Sequence, residues 1–178
     1  YSSRGQGPAI SVANSSLMLS DTRVTDNHNR TNAFEPYSFG FAGAIHGDSS
    51  TITLTGSVVN GNTGGSRGGG VSAFDSTLTV AGSEIADNFG WDGGGVYVRD
   101  SILTINGSTV SGNTAAALAG PFAGSGGGIA SRNSQVTVTS STVSSNVQVV
   151  LDPVYAYYDG GGGVSIHGGS LVLENSLV

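Results

Sequence analysis

The sequence predicts an all-β solenoid, a single-stranded parallel β-helix of about six coils, each coil made of three short strands with loops inserted on one side. Three observations carry that reading. Four glycine runs end alike, in Gly68-Gly69-Gly70-Val71, Gly93-Gly94-Gly95-Val96, Gly126-Gly127-Gly128-Ile129 and Gly161-Gly162-Gly163-Val164, and two degenerate copies close on Ile10 and Ile45. From the first five of these six aliphatic anchors the same residue types recur at fixed distances for seventeen positions, and from the sixth for the fourteen up to Val178. Every change in length falls between the seventeenth position and the next glycine run. Constant strands with variable loops mark a stack of equivalent units.

Each element of the coil follows from its column. The first strand surrounds the anchor. Seven and nine positions on stand Leu17/Leu19, Ile52/Leu54, Leu78/Val80, Leu103/Ile105, Val136/Val138 and Leu171/Leu173. A spacing of two puts both members of a pair on one face of a strand, which defines the second strand. Fourteen positions on, Val24, Val59, Ile85, Val110, Val143 and Val178 mark the third. Small polar residues separate these strands: Ser15, Ser50, Ser76, Ser101 and Ser134 after the first, and Thr22, Ser57, Ser83, Ser108, Ser141 and Ser176 after the second. An asparagine ladder of Asn27, Asn62, Asn88, Asn113 and Asn146 follows the third.

Successive anchors lie 35, 26, 25, 33 and 35 residues apart, so the chain from 1 to 178 is one segment with coils starting near residues 7, 42, 68, 93, 126 and 161. Parallel crossovers favour the right-handed sense. Equivalent residues of neighbouring coils then stack about 4.8 Å apart, like on like. Aliphatic columns become a continuous core, and a column of Asn at a bend can bond side chain to side chain and to neighbouring backbone. The glycine runs supply a corner that needs positive φ or close backbone approach, and Gly56, Gly82 and Gly107 do the same at a second corner.

Composition agrees and excludes several functions. Glycine accounts for 30 of 178 residues, while charged residues make up 10% and hydrophobic ones 37%. Stacked like charges would repel, which explains the scarcity of charge. With net charge -6 and all six basic residues being Arg, scattered from Arg4 to Arg132, no basic stripe is expected and nucleic acid is not an expected partner. The chain has no Lys, so its glycine runs are not phosphate loops. No apolar run approaches the roughly 20 residues of a membrane span, so no direct membrane insertion is expected. The absence of Cys removes disulfides and thiolate metal sites.

The glycine tetrads are paired with Val24-Thr25-Asp26-Asn27, Val59-Asn60-Gly61-Asn62, Ile85-Ala86-Asp87-Asn88, Val110-Ser111-Gly112-Asn113 and Val143-Ser144-Ser145-Asn146. Together they resemble the polymorphic outer-membrane protein repeat, in which a GGA-type tetrad is followed by Phe-x-x-Asn; Val or Ile stands here in place of Phe. The resemblance implies a right-handed parallel β-helix in a large exported protein, extracellular or at the cell surface, with an adhesive or structural role. It identifies no catalytic residue.

Function is therefore expected in the loops or on an outward strand face. Phe34, Tyr37, Phe39, Phe41, Phe89, Trp91, Phe122, Tyr155, Tyr157 and Tyr158 all fall in the variable stretches, which stacking would gather on one side. They are the candidate interaction surface, for a protein partner or surface glycans. The alternative is a private satellite core in which the loops fold back on these rings.

The expected function is a non-enzymatic structural or adhesive rod segment, without cofactor or metal. Its partners are the rest of a longer chain or other subunits, joined by coil stacking, because the apolar Val178 stands in the middle of a sixth copy. The alternative is a carbohydrate-active or carbohydrate-binding β-helix, motivated by the loop aromatics with Asp92, Asp152 and Asp159 nearby. Against it, no two adjacent coils place acids together with Arg in an evident constellation. The histidines His28, His46 and His167 are not spaced as metal ligands. A minor alternative is ice binding by the outward Thr column Thr53, Thr79, Thr104 and Thr137. Sequons at Asn14, Asn29 and Asn106 are candidate glycosylation sites, with Asn29 the most accessible by its place in a long loop.

Overall fold

The computed structural model describes residues 7–29, 43–64, 67–117, 126–150 and 160–178. Its strands follow the coils. The first coil holds β1 (Ile10–Ala13), β2 (Ser16–Ser20) and β3 (Arg23–Thr25), and the second holds β4 (Ile45–Asp48), β5 (Thr51–Thr55) and β6 (Val58–Asn60). The third adds a fourth strand to its three: β7 (Val71–Phe74), β8 (Thr77–Ala81), β9 (Glu84–Ala86) and β10 (Phe89–Gly90). So does the next, with β11 (Val96–Arg99), β12 (Ile102–Asn106), β13 (Thr109–Ser111) and β14 (Thr114–Ala117). In the fifth, β15 (Ile129–Thr139) runs through the first corner, followed by β16 (Thr142–Ser144) and β17 (Val147–Val150). The sixth contributes β18 (Val164–Glu174).

All pairings between these strands are parallel and in the expected register, with Ile45 opposite Val71, Val71 opposite Val96 and Val96 opposite Ile129. First and second strands form two ladders, β1-β4-β7-β11-β15 and β2-β5-β8-β12-β15, joined through the long β15. Third strands form β3-β6-β9-β13-β16. The added ladder β10-β14-β17 follows the asparagine corner and is prolonged by isolated bridges from His28 to Thr63 to Phe89. The three-strand coil thus gains a short fourth side.

The interior is the predicted set of columns. Ile45, Ile52, Leu54, Leu78, Val80, Ile85, Leu103, Ile105 and Ile129 are fully buried in one cluster. In the sixth coil the same positions are open: Leu171 is 38% exposed, Leu173 45% and Val178 57%.

Hydrogen bonds at the corners follow one rule: a backbone N–H of one coil donates to a side-chain oxygen of the next. Asn62 N donates to Asn88 Oδ1 (3.0 Å), Asn88 N to Asn113 Oδ1 (3.0 Å) and Asn113 N to Asn146 Oδ1 (3.0 Å). Each Nδ2 also donates to the next Oδ1 at 2.9 Å and to a carbonyl of the preceding coil. The serine columns repeat the pattern, with Ser50 N donating to Ser76 Oγ (2.9 Å), Ser76 N to Ser101 Oγ (3.0 Å) and Ser83 N to Ser108 Oγ (3.1 Å).

The corners also fix backbone conformation. Positive φ recurs four positions after the anchor at Asn14, Ser49, Asp75, Asp100, Asn133 and Gly168, eleven after it at Asp21, Gly56, Gly82, Gly107, Ser140 and Asn175, and sixteen after it at Asp26, Gly61, Asp87, Gly112 and Ser145. Asp, Asn and Gly are the residues that tolerate this region, so most of the scattered aspartates are corner residues.

Two predictions follow from these bonds. Asn113→Ala strips the acceptor from two buried donors of Asn88, so chemical denaturation should show a loss of about 3 kcal/mol. Ser131, by contrast, points its hydroxyl into the core without a hydrogen-bond partner among the described residues. Ser131→Ala is expected to raise the unfolding free energy by about 1 kcal/mol.

Candidate functional site

Strand alternation decides what the first strands present to the outside. With Ile45, Val71, Val96 and Ile129 turned inward, the residues one and three places on face outward. Register aligns His46, Ser72, Tyr97 and Ala130 in one outward column and Asp48, Phe74, Arg99 and Arg132 in the next. The first of these columns changes residue type at every coil, and the second does so until Arg132 repeats Arg99.

Their side chains form one connected cluster. The Phe74 ring meets His46 edge-on at 5.3 Å and Tyr97 edge-on at 5.6 Å. His46 Nδ1 and Ser72 Oγ share a hydrogen bond of 2.8 Å. The Arg99 guanidinium lies 4.6 Å from the Phe74 ring centre, and that of Arg67 lies 5.5 Å from the Tyr97 ring centre, both within cation–π range. Arg67 and Arg132 approach the same carboxylate oxygen of Asp92 at 4.0 Å and 3.8 Å, while Arg99 Nε meets Asp100 Oδ2 at 3.4 Å. Arg67 and Asp92 stand four residues before their anchors and are joined by an isolated bridge, which carries them beside the strand face.

Burial sets the electrostatics. His46, Ser72, Phe74 and Tyr97 are all buried, Tyr97 completely. Burial holds the His46 imidazole below the usual histidine pKa, with Asp48 acting in the opposite direction. The Tyr97 phenol is pushed up chiefly by burial, with Asp92 adding to the rise and Arg67, Arg132 and Arg99 opposing it. Tyr97 therefore keeps its proton, and its hydroxyl has no hydrogen-bond partner among the described residues.

This cluster corrects two expectations. Three of the four described arginines converge on one face rather than lying scattered, and an acid does stand among arginines from different coils. The reason is register: residues 67, 92, 99 and 132 are distant in sequence, but coil stacking makes them neighbours. Phe74 and Tyr97 lie in strands, outside the variable stretches from which the sequence predicts the interaction surface. The available signal was the outward column whose identity alters from coil to coil.

Of the aromatic residues expected to form the interaction surface, Phe89 and Trp91 are described, while Phe34, Tyr37, Phe39, Phe41, Phe122, Tyr155, Tyr157 and Tyr158 lie outside the described residues, as do Asp152 and Asp159. Phe89 is 37% exposed on the fourth ladder, in line with Thr114 and the 48% exposed Val147. Asn14 and Asn106 are exposed, but Asn29 is buried and its N–H continues the ladder to Thr63 O at 2.8 Å. A glycan on Asn29 would require that side chain to leave its place. Thr53, Thr79, Thr104 and Thr137 do form a straight outward column, but the neighbouring column runs Thr51, Thr77, Ile102, Gln135 and is broken.

The buried imidazole makes stability pH-dependent with a defined sign. A base whose folded pKa is depressed takes up its proton first in the unfolded chain, so stability falls as pH drops below the unfolded value of about 6.5 and the loss levels off below the folded pKa. Denaturation midpoints measured between about pH 7.5 and pH 5.5 should fall further for the parent chain than for His46→Gln, the difference isolating His46 from the carboxylates.

Compared with known proteins, residues 2–178 match the family model described as a right-handed β-helix region. No curated protein and no solved structure matches the chain significantly.

Proposed function

Because the chain belongs to the right-handed β-helix family, we propose that it is a non-enzymatic rod segment of an exported protein, extracellular or at the cell surface, that recognises a partner through the outward face of its first strands. One observation carries this reading. The second strands turn out the uniform column Thr53, Thr79, Thr104 and Thr137, whereas the first-strand face concentrates aromatic rings and guanidiniums beside the point where every insertion enters the coil. Rings and Arg are the residue types that dominate recognition surfaces. The exposed Phe89 and the half-buried Trp91 extend the binding surface toward the loops.

A second reading, a carbohydrate-active β-helix, is favoured by Asp92, which stands between Arg67 and Arg132 beside Tyr97. Two measurements separate them. Surface labelling of intact source cells should reach the protein, and incubation with neutral and acidic polysaccharides should release no shorter products. Turnover of any of these polymers, lost on Asp92→Asn, would replace the rod by the enzyme.

A further inference from the structure

Past the first corner the coil turns a second face outward, formed by β2, β5, β8, β12 and the part of β15 from Gln135 on. No residue of these segments is charged, in a chain of net charge -6. Thr dominates what they turn out. Thr51, Thr53 and Thr55 cross the second coil, Thr77 and Thr79 the third, and the middle row runs on in register through Thr104 to Thr137. Corner serines spend their hydroxyls inside the protein, as Ser83 Oγ donates to Ala81 O at 2.9 Å. The hydroxyls of Thr53, Thr79, Thr104 and Thr137 bond to nothing among the described residues.

The repeat sets these hydroxyls on a lattice. Equivalent residues of adjacent coils lie about 4.8 Å apart, and alternate residues of one strand about 6.7 Å. Two waters joined at about 2.8 Å to a shared neighbour in a tetrahedral network stand about 4.5 Å apart. Waters bound by successive hydroxyls of the Thr row therefore fall close to the spacing they take in ice. β-Branching restricts Thr to few rotamers and the ladder holds its backbone, so the row does not have to be ordered when a lattice meets it. A charged group would hold water in a shell of its own, and this face has none. We propose that the outward second-strand face binds the surface of ice, the hydroxyls of Thr53, Thr79, Thr104 and Thr137 holding one row of lattice waters. Thr51 and Thr77 begin a second row, which stops at Ile102 and Gln135. The contact is a narrow strip, suited to attachment to ice rather than to a large depression of its freezing point. It lies on other strands than the cluster around Tyr97 and does not depend on the recognition proposed there.

The test is uptake of the chain into ice grown slowly on a chilled surface from dilute solution, a process that excludes ordinary solutes. The chain should enter the ice, while a globular protein of like size mixed into the same solution stays in the liquid. Thr79→Tyr and Thr104→Tyr each raise a ring out of the row. Both should lose uptake while keeping the parent's melting temperature, since Tyr suits an outward strand position. Thr109→Tyr, on the third-strand ladder, is the control and should enter ice as the parent does. Exclusion of the parent chain overturns the proposal, as does uptake that persists in both row variants or is lost equally in the control. Cell-surface labelling and polysaccharide release read the first-strand proposal separately, so a failure here leaves that one standing.

Discussion

The fold depends on one interaction, the acceptance of a corner N–H by a side-chain oxygen one coil ahead. Strand segments satisfy their amides by ladder pairing, but where the chain turns that geometry is lost and buried amides would be orphaned. Ser76, Ser108 and Asn113 supply the missing acceptors. Their own hydrogens are in turn taken by a carbonyl two residues back or in the preceding coil, as Ser108 Oγ donates to Asn106 O at 2.8 Å and Asn113 Nδ2 to Ile85 O at 2.9 Å. With corners and strands both bonded, the perimeter of each coil is tied to the next almost without a gap. Constant register and aliphatic columns follow from that continuity.

The same continuity restricts what the surface can carry. Because each position meets its own kind about 4.8 Å away, a charge is admitted only where its neighbours yield. Asp26, Gly61, Asp87 and Gly112 occupy one positive-φ column in alternation, and the Asp26 and Asp87 carboxylates lie over the glycines of the next coil. The alternation sets those carboxylates about 10 Å apart and uses the space where a glycine lacks a side chain. Against this background Arg99 and Arg132 are exceptional, since neither yields to the other.

Most of the coil was legible because every copy obeys the same rule. Seventeen of the buried apolar residues, from Val24 to Val143, stand in columns that can be read directly from equal spacing. The fourth ladder was not legible, since its outward column runs His28, Thr63, Phe89, Thr114, Val147 and shares no chemistry. The cluster around Tyr97 escaped for a related reason. A search for sameness down a column passes over His46, Ser72, Tyr97 and Ala130, although their dissimilarity is what distinguishes the face. Arg67 and Asp92 were harder still, because they sit before the glycine runs, where coil length varies and register cannot be counted from the sequence.

The recognition proposed for the first strands leaves the corner relay untouched. Outward positions at one and three residues past the anchor use only their side chains, while their backbone groups remain in the ladder, so His46, Phe74, Tyr97 and Arg99 can differ from one another without breaking a coil-to-coil bond. The ladder also holds these side chains on a frame that does not have to order when a partner arrives, which lowers the entropic cost of binding. Stacking brings residues separated by a whole coil to within one strand spacing, so a compact site is assembled from single outward residues of several coils. A β-helix of this kind can therefore change what it recognises by changing a few outward side chains, while the Asn and Ser columns keep the rod itself the same.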